Sequence, residues 1–273
     1  MTHILHLRHI IATVLLMASV VSASAQHTFT HPWAGKRVAW LGDSVTDPAA
    51  TGIKDKYWTF LAQWLGIKPL VYAVNGRQWD DIPRQADELW KQHADSVDAI
   101  VILMGTNDFN GGVPIGRWFD EEPADVEAAA GRPKALCRRI HRTPVTGNAT
   151  FRARINTALA KLKDMYPSKQ IVLLTPLHRA FAQFSNDNVQ PDESYQNSCG
   201  EYVDAYMESV REASRIWAVP LIDLATLSGM YPLSAKYAPW YHDAANDMLH
   251  PNAEGHKRLA LTLYYQLATL PIY

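Results

Sequence analysis

Between Arg37 and Leu267, short and continuously apolar runs alternate with stretches that carry apolar residues at helical spacing. This alternation restricts the fold more than any other feature of the chain. The apolar runs are Arg37-Val38-Ala39-Trp40-Leu41, Pro69 to Val74, Ala99 to Met104, Gln170 to Leu174 and Pro220 to Leu224. The helical patterns cover Asp55 to Leu65, Ile82 to His93, Thr150 to Tyr166, Glu201 to Trp217 and Asn252 to Leu267. In the first of these, Tyr57, Trp58, Leu61, Ala62 and Leu65 fall at helical spacing and Gly66 stops it. Strands without a polar face belong in a parallel sheet covered by helices on both sides. The order therefore predicts an open α/β sandwich, with too few units to close an eight-stranded barrel. Residues 109–147 and 179–197 show no clear period and read as long irregular sections, which in compact domains usually serve function or lack order. The stretch from Leu224 to Met248 also reads as loop-rich.

The beginning of the chain follows another logic. His6, Arg8 and His9 precede the apolar run Ile10 to Val21, and Ala23-Ser24-Ala25 follows. This is the pattern of a secretory signal over residues 1–25, cut before Gln26, with residues 26–273 as one domain. The apolar run is short for a bilayer span. The expectation is an exported protein, periplasmic or extracellular, with no stable membrane insertion after cleavage. The formal net charge is -1, from 26 basic and 27 acidic side chains with no basic tail or stripe. Nucleic acid is thus not an expected partner. The only cysteines are Cys137 and Cys199. Export permits a bridge between them, but two cysteines do not define a disulfide framework, so bridged and separate thiols both stay open.

In open parallel sheets, reactive groups gather beyond the carboxyl ends of the strands. Those ends read Gly42-Asp43-Ser44, Asn75-Gly76-Arg77 and Gly105-Thr106-Asn107-Asp108, and a late loop reads Asp247-Met248-Leu249-His250. The pieces are chemically complementary. Ser44 is a potential nucleophile that needs a base. His250 can take its proton, and Asp247, three residues earlier, can hold the imidazole if the local turn is helical or nearly so. The N–H groups of Ser44 and Gly76 and the Asn107 side-chain amide can meet a developing oxyanion. Each piece alone has a plainer reading: a turn glycine, a bracing asparagine, a capping aspartate. Asp247, His250 and His256 lack the spacing of a zinc motif, so no metal and no cofactor is expected. His256, six residues beyond His250, reads as structural.

Taken together, the four segments resemble the SGNH hydrolase superfamily, the GDSL-type esterases and lipases. The resemblance rests on Gly42-Asp43-Ser44-Val45-Thr46-Asp47, Asn75-Gly76, Gly105-Thr106-Asn107-Asp108 and Asp247-x-x-His250-Pro251, in that order, and spans roughly Lys36 to Leu267. It implies a flavodoxin-like, three-layer α/β/α sandwich around a mostly parallel five-stranded sheet. It implies Ser44, Asp247 and His250 as a catalytic triad, and Ser44, Gly76 and Asn107 as the oxyanion hole. One departure concerns substrate fit: Pro48, Ala49 and Ala50 stand where the family often has a glycine shortly after the first block.

The reaction this implies is hydrolysis of an ester through an acyl-enzyme. The chain has nine Trp and twelve Tyr, and its irregular sections mix aromatic rings with arginines. Such a mixture suits a sugar ring or a carboxylate. Arg77, Trp118, Arg179 and Phe181 are the candidate substrate-binding residues. The resemblance and the expected export favour removal of acetyl from a carbohydrate. A lipase or thioesterase acting on short acyl chains and an inactive glycan-binding module are the alternatives. A small-molecule or glycan ester is the expected partner, and the sequence leaves the oligomeric state open.

Overall fold

The computed structural model describes residues 29–128 and 136–272. The expected signal segment lies outside the described residues. From Pro32 onward the chain forms one compact unit. Its centre is a five-stranded parallel sheet of β1 (Arg37–Gly42), β2 (Lys68–Val71), β3 (Ala99–Leu103), β6 (Gln170–Leu174) and β9 (Leu221–Ile222), ordered β2-β1-β3-β6-β9. This is the flavodoxin-like order, with the strand sequence reversing between β1 and β3.

The helices follow from the side-chain alternation of the strands. Ala39 and Leu41 of β1 pack with Ile100 and Ile102 of β3 into one core. Against it lie α2 (Ile82–His93), α4 (Phe151–Met165) and α5 (Val203–Trp217), through Leu89, Leu159 and Val210 among others. Val38 and Trp40 join Val101 and Leu103 on the opposite face. There α1 (Tyr57–Leu65) and α7 (Ala253–Leu267) supply Leu61, Leu65, Leu259 and Leu263. Two apolar cores on one sheet give the three-layer α/β/α sandwich. A short helix, α3 (Thr106–Asn110), follows β3, and another, α6 (Leu224–Leu227), follows β9. No described helix is long and apolar enough to cross a membrane.

The sections expected to be irregular are more ordered than that. Residues 109–147 contain a hairpin of β4 (Phe119–Glu127) and β5 (Leu136–Pro144). Both of its faces are exposed or half-buried, so it carries no apolar alternation for a sequence reading to detect. Residues 179–197 contain a second hairpin, β7 (Ala182–Ser185) and β8 (Asn188–Gln190). It joins β10 (Tyr241–Asp243) and β11 (Asp247–Pro251) in a four-stranded antiparallel sheet ordered β10-β11-β7-β8. These strands are three to five residues long, too short to show a period.

A Cys137–Cys199 bridge is not formed. Cys137 lies on the β4–β5 hairpin, its Sγ 3.4 Å from the Ala128 carbonyl. Cys199 lies in the loop before α5, its Sγ 3.1 Å from Asn197 Oδ1.

Candidate active site

The nucleophile turn begins where β1 meets β3. A Cβ at position 42 would sit 2.5 Å from the Leu103 carbonyl oxygen, so only glycine lets the strands approach this closely. The buried Gln85 carboxamide accepts from the Gly42 N–H (2.9 Å) and donates to its carbonyl (3.0 Å). The N–H groups of Thr46 and Asp47 then bond back to the Asp43 carbonyl, and the Asp43 carboxyl accepts from Val45 N (3.1 Å). Burial pushes that carboxyl up to about 7, against the lowering effect of the Val45 bond. Three consecutive residues at the start of α1 grip the turn from outside. Lys56 Nζ reaches the Ser44 carbonyl (3.4 Å), the Tyr57 hydroxyl shares a hydrogen bond with Thr46 Oγ1 (2.8 Å), and Trp58 Nε1 donates to the Thr46 carbonyl (2.9 Å).

The segments after β2 and β3 are bound to this turn. Asp47 Oδ2 accepts from Asn75 N (2.7 Å). Gly76 follows at φ +75°, a backbone state that favours glycine. Asn107 stands in the first turn of α3, and its Nδ2 donates to the Arg77 carbonyl (3.0 Å). One of its two amide hydrogens is therefore engaged, which orients the other. Asp108 is fully buried, accepting from Trp79 N (3.0 Å) and Arg154 Nη1 (2.9 Å). Burial raises its carboxyl to about 7 while Arg154 pulls it down.

Asp247 and His250 come from the other sheet. They lie on β11, between β10 and β7, not in the near-helical turn expected from their spacing. The backbone is bent by an Asx-type turn in which Asp247 Oδ1 accepts from Leu249 N (3.2 Å) and His250 N (3.0 Å). This brings His250 Nδ1 to 2.9 Å from Asp247 Oδ2, while Nε2 lies 2.8 Å from Ser44 Oγ. With the ionised carboxylate accepting at Nδ1, the neutral ring has its free lone pair on Nε2, toward the serine. Burial pushes the Asp247 carboxyl up, but bonds from the His250 ring and from the backbone outweigh it and leave the group below the usual range. His242, on β10, stands with Nδ1 3.2 Å from the same Oδ2. The sequence reading did not single it out.

These groups open onto a cavity of about 450 Å³. Ser44, Ala50, Thr51, Asn75, Gly76 and Asn107 form one side of it. Gln183, Phe184, Asn188 and Gln190 of the β7–β8 hairpin, with His242, Asp243 and Asn246, form the other. Six carboxamides thus face the cavity, and no lysine or arginine lines it among the described residues. The Phe184 ring stands edge-on to His250, with centroids 5.4 Å apart.

None of the four candidate substrate-binding residues lines this cavity. The exposed Arg77 contributes its carbonyl to Asn107. Trp118 is half-buried, bonded to Glu212 and covered by Arg152. Arg179 is buried behind the wall, bonded to Gln190 and set over the Phe109 ring. Phe181 joins the sheet through its carbonyl, which accepts from Met248 N. The Trp118 and Arg179 side chains complete the scaffold, those of Arg77 and Phe181 are exposed, and shorter polar residues of β8 and the β10–β11 turn reach the cavity. His256 is buried and stacked on Tyr57, away from the cavity.

The comparisons agree with the fold and motif order. Residues 40–258 match the model of the GDSL-like Lipase/Acylhydrolase family, and the chain belongs to that family. The comparison with curated proteins gave no significant match. Among solved structures, a protein from Chitinophaga pinensis designated a possible lipase is 21% identical at a TM-score of 0.63, over 86% of this chain and 98% of its own. A Lactobacillus plantarum protein is 19% identical at 0.63, over 87% and 98%. A catalytic mutant of an acetylxylan esterase from Geobacillus stearothermophilus is 15% identical at 0.51, over 86% and 94%. At such identities these structures share the fold.

Proposed function

We propose that this protein is a serine esterase that removes a short acyl group, acetyl, from a neutral carbohydrate. The observation that carries the reading is the hydrogen-bonded chain Asp247–His250–Ser44 at the floor of an amide-lined cavity. In the reaction, Ser44 Oγ attacks the ester carbonyl while His250 Nε2 takes its proton. Asp247 holds the ring and stabilises the imidazolium. The oxyanion accepts from the Ser44 and Gly76 N–H groups and from Asn107 Nδ2. His250 then protonates the departing sugar hydroxyl. Water, activated by the same ring, releases acetate from the acyl-serine.

Substrate class is argued from the wall. Asn75, Gln183, Asn188, Gln190 and Asn246 offer paired donors and acceptors of the kind hydroxyl groups need. Phe184 offers a ring face or edge to a pyranose. With no lysine or arginine lining the cavity among the described residues, a neutral sugar fits better than an acidic one. The similarity to an acetylxylan esterase of the same fold points the same way. The test is acetate release by wild type and Ser44→Ala from acetylated xylan, acetylated monosaccharides, sialic-acid esters and p-nitrophenyl esters of increasing length. Release from a neutral acetylated glycan, lost in S44A, is expected. Turnover restricted to long acyl chains would replace the reading with a lipase. Silence on every ester, with glycan binding intact, would replace it with a binding module.

A further inference from the structure

Lys56 is the one fully buried lysine among the described residues, and the acyl-transfer steps above do not use it. Its ammonium lies among three oxygens: the Ser44 carbonyl (3.4 Å), the Ala50 carbonyl (3.2 Å) and Thr51 Oγ1 (3.4 Å). Ala50 and Thr51 line the cavity beside the nucleophile. Thr51 is also strained, because a β-branched residue is held at φ +62°. Its hydroxyl, which accepts from Lys56, donates in turn to the Ala50 carbonyl (2.6 Å). A left-handed threonine persists only where its surroundings hold it, and the ammonium makes contacts at both residues. This is the Pro48-Ala49-Ala50 segment that departs from the family's first block.

We propose that Lys56 is a positioning residue that clips the Ala50–Thr51 wall to the nucleophile turn and thereby keeps the space beside Ser44 small enough to favour acetyl over longer acyl groups. The inference rests on the esterase reading. Asp43 and Asp47 of the nucleophile turn and Asp247 of β11 supply the negative field on the ammonium, and His256 of α7 faces it as a neutral ring. Burial brings the Lys56 ammonium down to about 8, with Asp47, Asp43 and Asp247 opposing that fall. The clip is therefore complete below that pH and weakens above it.

The experiment compares wild type, Lys56→Met, Lys56→Arg and Thr51→Ala on p-nitrophenyl acetate, butyrate and hexanoate, from pH 6 to 9.5. Wild type is expected to prefer acetate and to lose that preference as pH passes about 8. K56M should lower the acetate-to-hexanoate ratio of kcat/KM by roughly tenfold, equivalent to about 1.4 kcal/mol, and make the ratio independent of pH. T51A, which keeps the charge and removes one acceptor, should shift the ratio in the same direction by less. K56R should recover part of the preference and extend it to higher pH. A wild-type ratio and pH profile in K56M would overturn the inference, even with a lower Tm, because a structural role alone leaves selectivity unmoved. If K56M does not fold, a wild-type ratio in T51A together with an unchanged pH profile in K56R overturns it equally. A wild type that hydrolyses none of the esters removes the esterase reading and this inference together. Acetate turnover with unmoved selectivity removes the inference alone.

Discussion

The two sheets that meet at the cavity hold their residues in different ways. On the parallel sheet, Ser44, Gly76 and Asn107 follow the ends of β1, β2 and β3, and nearby side chains bond to the backbone at or near them: Gln85 at Gly42, Asp47 at Asn75 and Gln78 at Asn107. On the antiparallel sheet, Asp247 and His250 sit within a strand, positioned by pairing to the preceding strand β10 and to β7 from a distant part of the chain. The first arrangement is a set of local turns on a deep core. The second is a short sheet whose hairpin also supplies much of the wall. In the proposed reaction, the carbonyl under attack meets the parallel side, where donors must not move. In the same proposal, the alcohol partner meets the antiparallel side, whose hairpin residues lie apart from those donors. On that proposal, reaction type belongs to one sheet and substrate fit mainly to the other, with the base as their link.

The sharpest way to break this division is Asp247→Asn. It leaves the shape of β11 but exchanges a carboxylate for an amide next to His250 Nδ1. The expected loss is roughly 10⁴-fold in kcat, because the ring's tautomer is then wrong and the imidazolium has no counter-charge. Stopped assays on p-nitrophenyl acetate, with circular dichroism to verify folding, measure it. A loss below about tenfold would make the antiparallel sheet a wall and nothing more. Asn107→Ala probes the parallel side. Its expected cost is about 3 kcal/mol of transition-state stabilisation, seen in kcat with KM little changed. A change confined to KM would show that the amide binds substrate and does not stabilise the oxyanion.

The same division explains what could be read from the sequence. The central strands β3 and β6 are buried on both faces, so they stand out as Val-, Ile- and Leu-rich runs, and β1 and β2 read as shorter apolar runs beside them, with the site residues following directly. Ser44, Gly76 and Asn107 were legible for that reason. Asp247 and His250 were legible through their spacing, although their strand was not. The β7–β8 hairpin and β10 are too short for a period, and the hairpin reaches β11 only by pairing Ala182 with Asp247, far along the chain. Gln183, Gln190 and His242 were therefore invisible as a group. The large residues Trp118 and Arg179 drew attention by type, but burial turned them toward the scaffold. The Asp47 bond to Asn75 N, which ties two motif segments together, had a signal in the final aspartate of the first block.

Phe184→Ala sharpens the substrate half of the comparison. The ring packs edge-on against His250 and lines the cavity. An aromatic contact of this kind contributes about 0.5–1.5 kcal/mol, so KM for an acetylated glycan should rise roughly 2- to 10-fold. Turnover of p-nitrophenyl acetate should change less. Equal effects on both substrates would place Phe184 with the base and not with the sugar.

The remaining test addresses the parallel side without reference to catalysis. The Asp43 carboxyl is buried beneath the nucleophile turn and raised to about 7. An unfolded aspartate titrates near 4. Between these values the folded protein binds a proton that the unfolded chain has released, so the contribution of this group to stability is full below about 4 and is lost as pH rises through about 7. Asp43→Asn removes that loss while keeping an oxygen to accept from Val45 N. The Tm difference between D43N and wild type should therefore move in favour of the variant from pH 4 to pH 7 and level off above. Asp108, raised by the same cause, remains in both proteins, and its charge is one of the causes that raise Asp43. A Tm difference that stays constant over this range would mean that Asp43 is ionised in the fold throughout. The nucleophile turn would then be held by a charge paired with Lys56, and the parallel side would depend on electrostatics as much as on close packing.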